Sequence, residues 1–349
     1  MRVFISDFLT TPFLNEDLSN NLFPYFLFEE ILNKSKFDEN EIDLIYVFGM
    51  KKNKNLFSKK NGSFLFLGNT TSSVVSGLIS AQELLKSNKA NVILMLSINE
   101  KKEKNPFFGK RNQYLKEAKR FGINKPLLDE ILIKSYFKYE QFFSINSNKE
   151  FFQPIFVKNE RNDIFLKDHF FLKGITREDL NLSKLLSQNP WEIFSNYHFA
   201  ESSTGGCALI LINEEVLKDK NLNNLSEICF FDYIKTHRAG FPVNLIETLV
   251  FLKDFSFNAV FSSTPCIIEE AFTRGFFSDF NLHKEYIGSV INVEEINPYG
   301  SELFWGWAKG ANFLRRIGFL KNYLKEKRGK GLLIEKILNG PDFLMELTT

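Results

Sequence analysis

The chain has 349 residues, of which 44 are basic and 42 acidic, with a formal net charge of +2 and 44% hydrophobic residues. This composition suits one large globular unit, or two to three fused ones, with ample material for a core. Because the charges are nearly balanced and mixed along the chain, they create no broad field for nucleic acid or for an anionic membrane surface. We therefore expect neither of these as a partner.

The cysteines favour a reducing compartment. Cys207, Cys229 and Cys266 are widely spaced and form no C-x-x-C metal pattern. An odd and low count argues against a secreted disulfide scaffold. The amino-terminal MRVFISDF reads as a strand rather than a signal peptide, and the longest apolar run, VILMLSI, is too short to span a bilayer. We expect a cytoplasmic protein with no bound metal.

Short apolar runs alternate with segments of helical period. The predicted strands are Val3–Ser6, Ile42–Phe48, Ser63–Leu67, Val92–Ser97, Ala208–Asn213, Ile228–Tyr233, Ala259–Ser262, Ser289–Val293, Leu332–Leu338 and Phe343–Leu347. The predicted helices are Tyr25–Asn33, Ser72–Ser87, Leu245–Phe255, Ile267–Phe272 and Glu302–Lys327. Alternation of this kind indicates an α/β layered architecture.

Residues 99–195 differ in character from the rest of the chain and are predicted to be an insertion in the first half. It is richer in charge, and Thr176 is predicted to cap a short helix with Asp179 as its reciprocal partner. Similar strand–helix patterns on both sides indicate a duplicated domain. The first half would comprise residues 1–98 and 196–222, and the second half residues 223–349.

Six short segments carry a more specific signal. They are TTPF at 10–13, EIDLIYVFG at 41–49, FGINKPLLDEILIKSY at 121–136, STGGCALIL at 203–211, IEEAF at 268–272 and NPYGSELFWGWAKGANFLRR at 297–316. The last of them follows the pattern N-P-x-G-G-x-x-x-x-G-H-P-x-G-x-S-G-x-R through Asn297, Pro298, Gly300, Gly306, Gly310 and Arg315. In motif order and spacing, the chain resembles the thiolase family almost from end to end.

The resemblance implies a fold and an assembly. The fold is a five-layered αβαβα body made of two similar halves and capped by the insertion. Relatives form dimers or dimers of dimers, so a homodimer is expected, and a hetero-complex with an active thiolase-like enzyme is the alternative.

The resemblance also implies acyltransferase chemistry on acyl-CoA, with coenzyme A as the ligand and no further cofactor. In the family, a cysteine at a helix amino end attacks the thioester, because the helix dipole and free N–H groups stabilise its thiolate. A histidine takes the thiol proton, and a second cysteine moves the α-proton of the other acyl unit.

The nucleophile position holds a hydroxyl. The family pattern C-x-S-G, followed by a helix reaching A-Q, lies without gaps on Thr70–Ser73 and Ala81-Gln82, so Thr70 takes the place of the cysteine. An alternative register on Val74–Gly77 needs a shorter helix and also lacks cysteine. Hydroxyls at a helix start are typical of capping, whereas a nucleophilic threonine would need an adjacent base.

The other three chemical positions also differ. Trp307 replaces the histidine, and indole cannot accept a proton. Glu269 replaces an asparagine, and Lys336 stands approximately where the second cysteine belongs. We therefore expect a protein of acyl-CoA, lipid or isoprenoid-precursor metabolism that lacks Cys-dependent Claisen or thiolytic chemistry and acts as an acyl-CoA-binding or structural partner. The alternative is an active acetyl-CoA C-acetyltransferase that uses a displaced group, Thr70 or Cys266, whose thiol would be acidified at a helix start.

Ligand contacts follow from the resemblance alone. It assigns substrate binding to Ser135, Tyr136, His198, Asn297, Gly300 and Gly310. The four histidines, His169, His198, His237 and His283, fall on none of the family's histidine positions. Bulky Phe304, Trp307 and Phe313 predict an acyl pocket that is partly filled by aromatic rings.

Overall fold

The structure is a computed structural model, and it describes residues 1–18, 23–49, 63–68, 70–101, 106–144, 152–153, 155–156, 164–165, 168, 174–220, 222–234, 257–282, 292–337 and 341–349. The strands are β1 (Val3–Thr10), β2 (Leu44–Phe48), β3 (Ser63–Leu67), β4 (Val92–Asn99), β5 (Ile155–Phe156), β6 (Ile164–Phe165), β7 (Gly205–Asn213), β8 (Ser226–Ile234), β9 (Ala259–Ser262), β10 (Lys330–Glu335) and β11 (Asp342–Thr348). The α-helices are α1 (Phe23–Lys34), α2 (Thr71–Lys86), α3 (Arg111–Arg120), α4 (Lys125–Ser144), α5 (Arg177–Leu182), α6 (Glu214–Asp219), α7 (Ile267–Leu282), α8 (Glu302–Trp305) and α9 (Lys309–Lys327). Within the described ranges, no helix is both long enough and apolar enough to cross a bilayer.

Nine strands form one sheet in the order β3-β2-β4-β7-β1-β8-β11-β10-β9, and β5 pairs separately with β6. In the first half, β7 is antiparallel to β1 and β4, while β2 is parallel to β4 and β3. The second half repeats this pattern, with β11 antiparallel to β8 and β10, and β9 parallel to β10. The topology is therefore duplicated. The predicted residue boundaries of the three-part division stay a prediction.

Helices cover the strands in layers. Helix α1 packs Leu27, Phe28 and Ile31 on one face of the first half. Helices α2 and α9 lie side by side on the opposite face, and α9 also packs against strands of the second half. Strands β4 and β7 are buried along their whole length, as expected for strands with helices on both faces. The α/β layered architecture is confirmed, and the predicted outer helix Leu245–Phe255 lies outside the described residues.

Most predicted elements are present, with one instructive error. The predicted continuous helix Glu302–Lys327 is wrong, since α8 ends at Trp305 and α9 begins at Lys309. Gly306 between them has φ +93°, a left-handed conformation that glycine adopts without strain. Trp307 then forms an isolated bridge with Ser202. The break sets the position of the amino end of α9, which belongs to the site described below.

Two predicted strands also differ from the structure in where they begin or end. The predicted strand Leu332–Leu338 stops at Glu335 in β10. Residues 289–291 of the predicted strand Ser289–Val293 lie outside the described residues, and Val293 begins a short 3-10 turn. The predicted cap inside the insertion is confirmed, because Thr176 Oγ1 accepts from the N–H of Asp179 at 3.1 Å and Asp179 Oδ2 accepts from the N–H of Thr176 at 2.9 Å.

Candidate active site

The amino end of α2 is capped by the hydroxyl groups of its own first residues. Thr70 has the extended backbone of an N-cap, and its Oγ1 accepts a hydrogen bond from the main-chain N–H of Ser73 at 3.1 Å. The Thr70 and Ser73 hydroxyl oxygens lie 2.8 Å apart. The predicted hydroxyl cap is confirmed. In the described part of the chain, the hydrogen bonds of the Thr70 hydroxyl go to residues of its own helix start, and none goes to a base.

The amino end of α9 lies against this helix start. A Cβ added to Gly310 would lie 2.4 Å from Cγ2 of Val74 and 3.5 Å from the main-chain oxygen of Thr70. Only a residue without a side chain allows the two central helices to cross so closely. The structure therefore brings the Thr70 and Trp307 segments together at one end of the central helical layer.

Trp307 is held by its main chain and packed by its ring. Its N–H donates to the carbonyl oxygen of Glu201 at 2.7 Å, and its carbonyl oxygen accepts from the N–H of Ser203 at 3.0 Å. The buried indole packs edge-to-face on Phe107, just before α3, with ring centroids 6.5 Å apart. The side chain at the family's histidine position thus makes an apolar contact with the insertion.

Glu269 and Lys336 meet in a buried group that we name the charged cluster: Glu269, Lys336 and Asp342. Lys336 Nζ lies 2.6 Å from Asp342 Oδ2 and 3.5 Å from Glu269 Oε2. Burial alone would lower the pKa of Lys336, but the two carboxylates outweigh it and hold the pKa above its usual range. Burial raises the pKa of Asp342 although Lys336 opposes the shift. Lys336 is therefore a charged ammonium and not a free amine nucleophile.

Tyr114 of α3 extends this group toward the insertion. It is buried, and its hydroxyl has no hydrogen bond of normal geometry within the described residues. Burial raises its pKa well above the usual range, and the nearby Glu269 and Cys266 raise it further. The phenol is therefore a neutral neighbour of the charged cluster.

Cys266 precedes α7, as predicted, but its thiol is not acidified. The side chain is fully buried, and burial raises its pKa well above the usual range, although the N–H groups of Ile268 and Ile267 favour the thiolate. This argues against the alternative in which Cys266 is an acidified nucleophile, because the desolvation of the thiolate exceeds the benefit of a helix start.

The pKa values of the other two thiols are also raised. Cys207 is buried in β7 with its pKa raised by burial to about 11, and its sulfur lies 3.2 Å from Oγ1 of Thr10. Cys229 is exposed on β8, and partial burial also raises its pKa to about 11.

His198 is buried in a pair with Asp129. Its Nδ1 accepts from the N–H of Ser195 at 3.0 Å, so its Nε2 carries the proton that is donated to Asp129 Oδ1 at 2.8 Å. Burial raises the pKa of Asp129, but hydrogen bonds from His198 and Lys125 outweigh it and lower the pKa. This arrangement joins α4 to the segment before β7. The remaining histidines, His169, His237 and His283, lie outside the described residues.

Four predicted binding residues lie where α4 meets the segment before α8. Ser135 is buried, and its hydroxyl donates to that of Ser301 at 3.2 Å. Gly300, at φ +76°, approaches α4 so closely that a Cβ would lie 3.0 Å from the main-chain oxygen of Ser135. Tyr136 packs edge-to-face on Phe304. Asn297 is buried, and its Oδ1 accepts from the N–H of Ser262 at 2.8 Å.

A cavity of about 540 Å³ opens beside this site. Phe199, Glu201 and Leu303 belong to its wall, together with Tyr197 and with Gly174 of the insertion. Glu201 is the residue whose carbonyl holds the N–H of Trp307, so the cavity borders the α9 end of the site. Phe304 and Phe313 are fully buried, and Phe313 packs edge-to-face on Phe343 of β11.

Sequence reasoning missed Asp342 and Tyr114. Asp342 follows a turn-like N-G-P segment, and Tyr114 lies within a highly charged helix, so both positions resemble surface positions. A signal was present in the apolar run LLIEKIL, since a lysine in a buried strand pattern requires a carboxylate partner. The pattern does not say which carboxylate supplies it.

No protein-family sequence model and no curated protein sequence matches this chain. Solved structures do match over its full length, and the architecture that they share with it is the thiolase fold. The predicted resemblance is thereby confirmed at the level of the fold, and this chain is a thiolase-fold protein.

Three solved structures illustrate the likeness. Acat5 thiolase from Ascaris suum in complex with coenzyme A has 13% sequence identity and a TM-score of 0.79, with 100% of both chains covered. Human mitochondrial 3-ketoacyl-CoA thiolase has 12% identity and a TM-score of 0.80, covering 100% of this chain and 99% of its own. Bacillus anthracis acetyl-CoA acetyltransferase has 16% identity and a TM-score of 0.79, with 99% and 98% covered.

Proposed function

We propose that this protein binds coenzyme A or acyl-CoA and does not carry out Cys-dependent Claisen or thiolytic chemistry. The proposal rests on the residues that occupy the four family-aligned catalytic positions and on the contacts that they make. Thr70 is a helix cap, Trp307 an apolar contact, and Glu269 and Lys336 are members of an ion pair. None of the four supplies a thiolate or an imidazole.

Proton transfer is the step that this arrangement lacks. A threonine nucleophile needs a base within hydrogen-bond reach, and among the described residues the hydrogen bonds of the Thr70 hydroxyl go to Ser72 and Ser73. The imidazole of His198 is buried against Asp129, with both ring nitrogens engaged. Lys336 keeps its proton because two carboxylates stabilise the ammonium. A protein with these groups can bind a thioester without activating a nucleophile against it.

The cavity supports ligand binding. Its volume of about 540 Å³ lies in the range of small-molecule sites, roughly 300–1,000 Å³. It combines apolar side chains, Phe199 and Leu303, with the polar Asn196 and Lys184, as a pantetheine chain with amide groups requires. The similar Ascaris suum thiolase was solved in complex with coenzyme A. We place the protein in cytoplasmic lipid or isoprenoid-precursor metabolism, as a binding or structural partner of an acyl-transfer enzyme.

The second candidate is an active acyltransferase that uses Cys266 or Thr70. One observation favours Cys266: its backbone bridges to that of Phe199, which belongs to the cavity wall. Burial and the raised pKa of the thiol argue against it.

One experiment separates the two candidates. The purified protein is incubated with acetyl-CoA and with acetoacetyl-CoA, and CoA release and the intact mass are followed. We expect no turnover and no acetyl adduct, together with a melting-temperature rise in coenzyme A, since a ligand at 100 times its Kd adds about 2.7 kcal/mol. An acetyl adduct that disappears in Cys266→Ser or Thr70→Ala would establish the second candidate.

A matched pair of variants tests the cavity. Leu303→Trp places a larger side chain at the cavity wall and should abolish the melting shift with coenzyme A. Leu127→Trp changes an exposed leucine of α4 outside the cavity wall and should leave the shift intact. Equal shifts in both variants would contradict binding in this cavity.

We also propose a homodimer formed through β3. Among the described residues, this strand is at the edge of the sheet and pairs with β2 alone, and Leu65 is 43% exposed. An exposed apolar edge strand is a template for pairing with another strand. Light scattering should give twice the chain mass, and Leu65→Lys should give a monomer. Co-purification with an active thiolase-like chain would instead favour the hetero-complex.

A further inference from the structure

A second, smaller cavity lies at the junction of the two halves. Its volume is about 180 Å³, and it opens between β1, the carboxyl end of α1, the segment before β8 and the second half of α9. Its lining includes Gly318 and extends along α9 to Lys325, which are 8 and 15 positions beyond Gly310. At about 1.5 Å per residue, this is roughly 12–22 Å along the helix from the candidate active site. The two sites are therefore separate.

The strand pairing explains why a cavity forms there. Strands β1 and β8 pair only through Phe4 and Ile5, opposite Glu227 and Ser226. Directly after Ile5, the register of β1 against β7 shifts at Ser6. A bulge of this kind bends a strand and re-aims its side chains. Ser6 and Asp7 then face the segment that carries Asn223 and Asn224, and α9 covers the gap.

The charges of this lining are predominantly positive. Three lysines, Lys34, Lys321 and Lys325, line the cavity with one carboxylate, that of Asp7. Lys321 Nζ is fixed by a hydrogen bond of 2.6 Å to the main-chain oxygen of Asn224. An ammonium group has three N–H donors, so this bond leaves the group capable of further donation.

Lys321 is held in place at an electrostatic cost. Burial lowers its pKa to about 8, Asp7 opposes the shift, and Lys325 and Lys34 lower the pKa further. Burial also raises the pKa of Asp7, although Ser6 and the nearby lysines oppose the shift. An anion between the lysines would replace repulsion by charge-assisted hydrogen bonds.

We infer that this pocket, which we name the anion pocket, binds a phosphate-class oxyanion through Lys34, Lys321 and Lys325, with amide groups of Asn223 and Asn322 at its rim. The observations that carry it are the cavity at the bulge, the three lysines against one aspartate, and the fixed position of Lys321. The volume of about 180 Å³ suits a single phosphoryl group. This site does not depend on the proposed binding of coenzyme A.

The test is saturable binding of inorganic phosphate to the full chain, measured by calorimetry and by melting temperature at constant ionic strength set with sodium chloride. Lys321→Met should weaken phosphate binding at least about tenfold, since one charge-assisted hydrogen bond is worth roughly 1.5–3 kcal/mol. Asp7→Asn should tighten binding because it removes the one carboxylate among the described lining residues. Lys134→Met, which removes an exposed lysine of α4 paired with Glu130, should bind phosphate as the wild type does.

Two further readouts keep the result interpretable. Lys325→Met removes an exposed lysine of the same lining and should also weaken phosphate binding if Lys321→Met fails to fold. Glycerol 3-phosphate as a second ligand distinguishes a phosphomonoester from free phosphate, and tighter binding of either one supports the pocket. The inference is overturned if neither ligand binds saturably below about 10 mM, or if Lys321→Met and Lys325→Met both bind as the wild type does. The melting shift with coenzyme A should be the same in Lys325→Met and the wild type. The experiment therefore distinguishes a failure of the anion pocket from a failure of the proposed coenzyme A binding.

Discussion

The hydroxyl-capped start of α2 and the charged cluster both lie at positions that the family resemblance assigns to catalysis. The residues at these two places differ in charge and in burial. Thr70 is an exposed, uncharged cap whose partners are local. Glu269, Lys336 and Asp342 are buried charges that come from three separate elements or their ends. The first region contributes to the stability of one helix, whereas the second ties α7 to the ends of β10 and β11.

The comparison shows that loss of the expected chemistry need not leave an empty site. At one position a small polar cap satisfies a helix end. At the other, three charges satisfy one another in a place where water is excluded. Substitutions in the charged cluster should therefore lower the free energy of unfolding much more than substitutions in the helix cap.

Lys336→Met should have the largest effect. It removes the ammonium and leaves two buried carboxylates without their cation. We expect the free energy of unfolding in urea at pH 7 to fall by about 3–5 kcal/mol. The control is Lys134→Met on α4, where the ion pair with Glu130 is exposed and therefore contributes little to stability. Equal losses in the two variants would contradict the distinction between the regions.

A pH-dependent effect of intermediate size should come from Glu335, next to Lys336. Glu302 and Glu335 share the buried Arg316, and burial raises the pKa of Glu335 to about 7 against the opposing effect of Arg316. Between about pH 4.5 and 7 the folded chain keeps a proton that the unfolded chain releases, so this carboxyl makes stability fall as pH rises. Its contribution across that window is about 3 kcal/mol, since one pKa unit corresponds to about 1.4 kcal/mol.

Glu335→Gln should remove that contribution. Urea denaturation at pH 5 and at pH 7.5 should show a smaller decrease of the unfolding free energy with pH in the variant than in the wild type. Identical differences between the two pH values would mean that Glu335 is ionised throughout, with Arg316 neutralising both carboxylates.

The smallest effect should come from the cap. Thr70→Ala should cost about 1 kcal/mol, because the N–H of Ser73 loses its acceptor. Thr70→Ser keeps the acceptor and should recover most of this. Thermal denaturation of the two variants is the measurement, and an unchanged melting temperature in Thr70→Ala would show that the cap contributes nothing.

The fold could be predicted further from the sequence than the site could. Ser63–Leu67 and Ala259–Ser262 were identified with their exact bounds because their apolar runs end abruptly. The break at Gly306 was missed, because apolar periodicity continues through Phe304, Trp305 and Trp307 while the backbone conformation depends on contacts with Ser202 and Glu201. The hydrophobic periodicity of the sequence does not predict such long-range contacts.

The sequence identifies the site residues by their position in a family motif, but it does not predict the side chains that surround them. Alignment to a motif identifies Glu269 and Lys336 as exceptional, but their mutual ion pair depends on how α7 and β10 are placed in space. The thiol of Cys266 shows the limit most clearly. A helix start argues for a low pKa, and only the structure shows that burial reverses the sign.

The narrow junction of β1 with β8 has a consequence for how the chain folds. Two residue pairs are too few to hold the halves together, so their association also needs contacts outside the sheet, such as those of α9, which packs on strands from both. A fragment ending before Lys309 would expose the apolar face that α9 covers. We therefore expect neither half to be autonomous, and the duplicated topology to melt in one cooperative transition.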